Sequence, residues 1–211
     1  MSGPECCSNP PSLNPTSVVG HVEEVSGFKA YVTGSAYSNQ AVLLVSDVYG
    51  YEAANLRKLA DKVTAARFYV VIPDFFHGDP YDPQNAERPL PVWIKDHGPD
   101  KGFEDAKRIL ESLKSKGILT VGAAGFCWGA KVVVELSKLG LIQAAVLLHP
   151  TFVTVDDIKR VKIFPKVSHG WTVRYKVEDE FVVKSAEEAH KDAIEWFSKY
   201  LKSWNRVLSS L

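Results

Sequence analysis

Cysteine is scarce in this chain: three occur in 211 residues, and two of them, Cys6 and Cys7, are adjacent in a polar amino-terminal stretch. So few thiols exclude a disulfide-stapled extracellular scaffold and point to a reducing compartment. Two neighbouring thiols with no histidine beside them also make a poor ligand set, so no metal is expected. Net charge is equally lacking, with 25 basic residues balanced by 25 acidic ones. No overall field draws the protein to nucleic acid or to an anionic membrane, which leaves a small or neutral molecule as the expected partner. No apolar run reaches membrane-spanning length, and Met1 to Thr16 is rich in proline and serine without an apolar signal core. The expectation is a cytoplasmic protein.

What is present is enough apolar sequence, 45% of residues, to build one substantial core. The composition predicts a flexible arm over residues 1–17, a single domain over 18–203 and a tail over 204–211. Ala41 to Ser46 and Phe68 to Ile72 are short continuous apolar runs, the mark of strands buried on both faces. Between them, Leu56, Leu59, Ala60 and Val63 recur at helical spacing, giving one βαβ unit. A Pro-, Asp- and Gly-rich stretch, Asp74 to Gly98, reads as a loop. A helix over Lys101 to Lys116 ends at Gly117, followed by a strand over Ile118 to Ala124, a helix over Ala130 to Leu139, a stop at Gly140 and a strand over Ala144 to Leu148. Lys184 to Lys202 is a last amphipathic helix with Ala189, Ala193, Trp196, Phe197 and Tyr200 as its inward residues. His21 to Tyr31 alternates weakly and suggests an edge hairpin turning at Gly27. Strand-helix alternation of this kind predicts an α/β fold, a parallel sheet with helices on both faces.

The most informative stretch is Gly-Phe-Cys-Trp-Gly, Gly125 to Gly129, lying between a predicted strand and a predicted helix. It reads as a nucleophile elbow with cysteine in the place of serine. Cys127 is the candidate nucleophile, at a helix N-terminus that favours thiolate, and the Trp128 amide is aimed to stabilise an oxyanion. The alternative is a buried cysteine packed as a small hydrophobe in a tight turn.

Ligands of open parallel sheets sit beyond the carboxyl ends of the strands. Those ends carry Asp47 to Gly50, Asp74 to His77, Cys127-Trp128, His149-Pro150 and Ser168 to Trp171. His169 is the candidate general base, since a thiol nucleophile needs a group that takes its proton and returns it to the leaving group. His149 competes for that role. His21, His77, His97 and His190 read as surface or loop residues.

The chain resembles the dienelactone hydrolase family of α/β-hydrolases, particularly its plant cytosolic members. The resemblance rests on Gly-Pro-Glu-Cys-Cys (3–7), Val-Ser-Asp-Val-Tyr-Gly-Tyr-Glu (45–52), Pro-Asp-Phe-Phe-His-Gly-Asp-Pro (73–80), Gly-Phe-Cys-Trp-Gly-Ala-Lys (125–131) and Ser-His-Gly-Trp (168–171). It implies a Cys-Asp-His triad acting on small esters or lactones without metal or organic cofactor, in a monomer or homodimer. Carried over by position, Cys127 is the nucleophile and His169 the base, Val48 and Trp128 supply oxyanion-hole amides, and Asp47 matches an acid that contacts the resting thiol. Arg174 is either a clamp for a substrate carboxylate or a solvated arginine. Tyr49, Trp171, Phe76 and Trp93 form either an apolar substrate wall or ordinary packing. Some grass members of the family are also described as endo-1,3;1,4-β-glucanases.

One departure stands out. The family places its acidic triad member after a further strand between the counterparts of His149 and His169, whereas here only Thr151 to Ser168 separates them. A strand-helix-strand step takes roughly 30 residues or more, so one late strand and its helix, with the expected aspartate, are absent. The chain around Ile163 would then occupy the slot beside the Ala144 to Leu148 strand. That shifts His169 by roughly 4.8 Å, unless the intervening chain is stretched or a partner subunit supplies the edge. Asp156, Asp157, Glu178 and Asp179 are the nearest substitute acids, though Val-Asp-Asp-Ile also reads as a helix start. Two rivals to catalysis by Cys127 follow: a ligand-binding protein that keeps a hydrolase pocket, and glycan cleavage by two carboxylates roughly 5 to 10 Å apart.

Overall fold

The computed structural model describes residues 9–13, 18–154, 157 and 167–208. Cys6, Cys7, Asp156 and the segment around Ile163 lie outside these residues.

Among the described residues six strands form one sheet: β1 (His21–Val25), β2 (Phe28–Thr33), β3 (Gln40–Val45), β4 (Tyr69–Pro73), β5 (Thr120–Phe126) and β6 (Ala144–Leu148), in the order β1-β2-β4-β3-β5-β6. β4, β3, β5 and β6 run parallel, and every residue of β3, β4 and β5 is buried. This is why these strands read as unbroken apolar runs rather than alternating ones. The edge hairpin expected over His21 to Tyr31 is present as β1 and β2, which join β4 antiparallel at one edge of the otherwise parallel sheet. The turn at Ser26-Gly27 has both residues at positive φ, 56° and 83°, the geometry that matches strand twist in a two-residue hairpin.

The helices are α1 (Ala54–Thr64), α2 (Leu90–Asp96), α3 (Pro99–Ser115), α4 (Trp128–Lys138) and α5 (Glu180–Leu208). Two apolar clusters cover the two faces of the sheet. One joins Ile109, Leu110 and Leu113 of α3 to Val132, Val133 and Leu136 of α4, and the other joins Leu56, Leu59 and Val63 of α1 to Ala186, Ala189, Phe197 and Leu201 of α5. α3 and α4 end as their glycines foretell. Gly117 donates to Lys114 and Ile118 to Leu113, and Gly140 donates to Ser137 and Leu141 to Leu136, the paired bonds of a Schellman cap.

Three details differ from expectation. α2 forms inside the stretch read as a loop, with proline in its first turn where a missing N–H costs nothing. β5 starts and ends two residues later than the apolar run, because its register is set by β3, with Gln40 opposite Thr120 and Val45 opposite Gly125. Trp196 on α5 is 43% exposed, and His190 on the same helix is 2% exposed. Within the stretch expected to be a flexible arm, Ser12 accepts a hydrogen bond from the Ala54 amide and Asn9 donates to the Arg174 carbonyl. After β6 the described residues contain no further strand before α5. No helix among the described residues is long and apolar enough to cross a membrane.

Candidate active site

The elbow forms because the chain there has no room for side chains. A Cβ on Gly125 would lie 2.3 Å from the Gly129 carbonyl oxygen, and one on Gly129 would lie 2.2 Å from that of Val45. Glycine alone lets β5 turn into α4 against the end of β3. Cys127 sits at the junction with φ 51° and ψ −109°, a conformation that non-glycine residues adopt under constraint and that recurs at nucleophile positions. Its amide donates to the Leu148 carbonyl (3.2 Å), its carbonyl accepts from Thr151 N (3.0 Å), and its Sγ lies 3.4 Å from Thr151 Oγ1. The end of β6 and the loop after it therefore grip the cysteine on both backbone groups. Cys127 is 1% exposed, so the thiol is at the sheet's rim but under cover.

Strand register brings the other residues here. Val45 opposite Gly125 and Leu148 opposite Phe126 carry Asp47-Val48 and His149 to the same end of the sheet as the elbow. Val48 is buried. Trp128 is the first residue of α4, so its amide has no partner within the helix. His149 holds a positive φ of 39°, and its Nδ1 lies 3.0 Å from Thr172 Oγ1. The His169 ring stands edge-on to that of His149 with centroids 4.9 Å apart. The two histidines weighed as bases are thus neighbours, although the chain between them is short.

Asp47 and Arg174 pair with each other. Arg174 Nε lies 3.0 Å from Asp47 Oδ2 with both side chains almost wholly buried, Asp47 Oδ1 accepts from Tyr49 N (3.0 Å), and the guanidinium lies over the Tyr49 ring. Arg174 Nη1 also donates to the Asn9 carbonyl (3.2 Å). The solvated alternative for Arg174 is corrected by this burial. The aromatic wall divides: Tyr49, Phe76 and Trp93 belong to the α3–α4 cluster and Trp171 to the α1–α5 cluster.

Two of the candidate substitute acids, Asp157 and Asp179, are engaged elsewhere. The Asp157 carboxylate pairs with Lys131 and Lys138 and accepts from Thr154 N, and its pKa is pushed well below the usual carboxylate range by Lys138 first and the Thr154 amide next. Asp179 Oδ1 accepts from Val182 N at the start of α5, and Glu178 is exposed.

His190, read as a surface residue, is buried in α5, where its Nε2 donates to the Thr172 carbonyl at 2.7 Å. Its position among Ala186, Ala189, Ala193 and Phe197 was the available signal. A cavity of about 760 Å³ opens at the opposite end of the strands, lined by residues including His21, Glu23, Tyr69 and Lys116 and by none of the site residues above.

The indole of Trp128 is wedged beside α3. A Cβ on Gly102 would fall 2.4 Å from its Cη2 atom, while Phe75 and Phe76 hold its other sides. Gly102→Ala should therefore cost about 1 to 3 kcal/mol by overpacking, read as a lower denaturant midpoint with unchanged slope.

A sheet of this topology with a cysteine elbow at its carboxyl rim defines an α/β-hydrolase-type protein. The sequence model of the dienelactone hydrolase family matches residues 28–162, more than half of the chain, and the chain belongs to that family. Cys127 lies inside the matched stretch and His169 beyond it. A protein from Zea mays named endo-1,3;1,4-beta-D-glucanase is 42% identical over 75% of this chain, which spans 53% of the maize protein's length. A carboxymethylenebutenolidase homolog from Rattus norvegicus is 27% identical over 87% of this chain and 92% of its own. The crystal structure of a putative dienelactone hydrolase from Klebsiella pneumoniae superposes with a TM-score of 0.68 at 13% identity, covering 88% of this chain and all of that one, which speaks to the fold.

Proposed function

We propose that this chain is a hydrolase of small esters or lactones that works through a thioester on Cys127. The observation that carries the reading is the strained backbone of Cys127 between two glycines that no side chain could replace. His169 takes the thiol proton, sulfur attacks the carbonyl carbon, and the resulting oxyanion is held by the Val48 and Trp128 amides. Collapse of the tetrahedral adduct expels the alcohol with the proton returned by His169. Water, deprotonated by the same imidazole, then releases the acid and restores the thiol. Asp47 and Arg174 hold the rim in place, and Tyr49 and Trp171 flank the substrate. Since the thiol is covered, a substrate reaches it when the loop carrying Thr151 shifts. The chemistry needs neither metal nor organic cofactor and suits a cytoplasmic monomer or homodimer.

A pulse of p-nitrophenyl acetate should add one acetyl group to the peptide bearing Cys127, and Cys127→Ala should lose both adduct and turnover. Turnover that survives in Cys127→Ala would end this reading. His169→Ala and His149→Ala, compared side by side, should show the larger loss, roughly 10²-fold or more, at His169.

The maize relative's name favours a second reading, glycan hydrolysis. The two buried carboxylates at the strand ends suit it poorly, since Asp74 accepts from the Phe76 and Gly78 amides and Asp47 is paired with Arg174. Reducing-sugar release from mixed-linkage glucan by Cys127→Ala would favour it nonetheless.

A further inference from the structure

Residues 74–98, between β4 and α3, are knotted around one carboxylate. Asp79 accepts from Arg88 Nη1 at 2.7 and 2.8 Å and lies 2.8 Å from His97 Nε2, while its backbone carbonyl accepts from Trp93 Nε1 at 3.0 Å. Arg88 also donates to Asp96 (2.7 Å), and the His97 ring stacks on Trp93 with centroids 4.5 Å apart. The knot reaches the elbow through one bond, because Trp128 Nε1 donates to the His97 carbonyl at 2.8 Å.

Trp128 thus has two ends with separate tasks. Its indole is tied to His97, and its backbone amide is the first N–H of α4, beside Cys127. We propose that Asp79 is a positioning residue for the oxyanion hole: by fixing His97 it fixes the Trp128 indole, and so the place of the Trp128 amide. This rests on the reading of Cys127 as an acyl-forming nucleophile. An oxyanion donor works when it stands roughly 2.7 to 3.1 Å from the developing charge, and an error of about 1 Å costs orders of magnitude in rate. A strut that locks the indole therefore bears on catalysis without touching substrate. Asp79 suits the task because its carboxylate stays ionised. Partial burial raises its pKa, but the hydrogen bonds from Arg88 and His97 outweigh that and leave it below the ordinary value.

Two reactions of the same sulfur separate this role from a general structural one. Acylation by p-nitrophenyl acetate passes through an oxyanion, whereas alkylation by iodoacetamide does not. In Asp79→Ala, acylation of Cys127 and kcat should fall roughly 10-fold with KM little changed, and alkylation should stay within about twofold of wild type. Asp79→Asn, which keeps an acceptor for His97, should recover most of the loss. Deuterium exchange at the Trp128 amide should quicken in Asp79→Ala. Equal losses in acylation and alkylation, or no loss in either, would overturn the proposal, as would unchanged exchange at Trp128. A wild-type protein that never acylates Cys127 would remove the proposed function instead, and the exchange measurement would still decide whether Asp79 holds Trp128.

Discussion

Arg174→Met should lower the stability of the fold by about 3 to 5 kcal/mol, the usual cost of removing one member of a buried ion pair. For a chain of this size that is a fall in Tm of roughly 10 °C. The side chains of Arg174 and Asp47 are 1% and 2% exposed, so water cannot replace the lost guanidinium. Arg174 also joins three pieces of chain: the loop after β3 through Asp47, the turn over residues 168–174 that carries it, and Asn9 through two hydrogen bonds. Its removal takes the guanidinium from beside the buried Asp47 carboxylate and breaks the side-chain bond to the Asn9 carbonyl. The double variant Asp47→Asn with Arg174→Met leaves no charge behind and keeps the acceptor for the Tyr49 amide, so it should be more stable than Arg174→Met alone. Thermal or denaturant melts of the four proteins give the coupling directly. A double variant as unstable as the sum of the two single ones would mean that the pair contributes through independent contacts and not through its charges.

The ion pair also shows where sequence reading succeeds and where it stops. The Gly-Phe-Cys-Trp-Gly elbow was legible because its glycines are demanded by backbone approach, a local requirement that leaves a local mark. The apolar runs of β3 and β4 and the glycine stops of α3 and α4 were legible for the same reason. Arg174 was not, because its burial depends on Asp47, 127 positions earlier and on another element. α2 was missed because prolines that break a helix in its interior are welcome in its first turn, and composition does not say which applies. The added strand pairing of β2 to β4 leaves no local trace either.

The helix α5 is the most instructive case. Counting apolar residues centred its buried stripe between Trp196 and Phe197, whereas the stripe observed runs through Ala186, Ala189, His190, Ala193, Phe197 and Leu201, a rotation of about 40° on the helical wheel. The larger aromatic pulled the expectation toward solvent, where the Trp196 ring instead packs tilted against that of Tyr200. The rotation puts a titratable ring inside the fold, which makes stability depend on pH.

His190 has its pKa lowered from 6.5 to about 4 in the folded chain, first by burial and then by Lys62, against a smaller upward pull from its bond to the Thr172 carbonyl and from Glu187. Above pH 6.5 the ring is neutral both folded and unfolded, and its burial carries no protonation penalty. Between pH 6.5 and 4 the unfolded chain binds a proton that the folded chain refuses, so stability must fall as pH falls. A shift of this size corresponds to about 3 kcal/mol lost by pH 4, with no further loss from this group below it. The proton would have to enter at the expense of a ring whose Nε2–H already holds Thr172, the residue that also contacts His149. His190→Gln keeps a donor for the Thr172 carbonyl but cannot titrate. Urea midpoints of wild type and His190→Gln, taken at steps from pH 7.5 to 4, should therefore converge as the pH drops, with wild type losing more. Two curves that stay parallel across that window would show that His190 is protonated as readily in the fold as outside it.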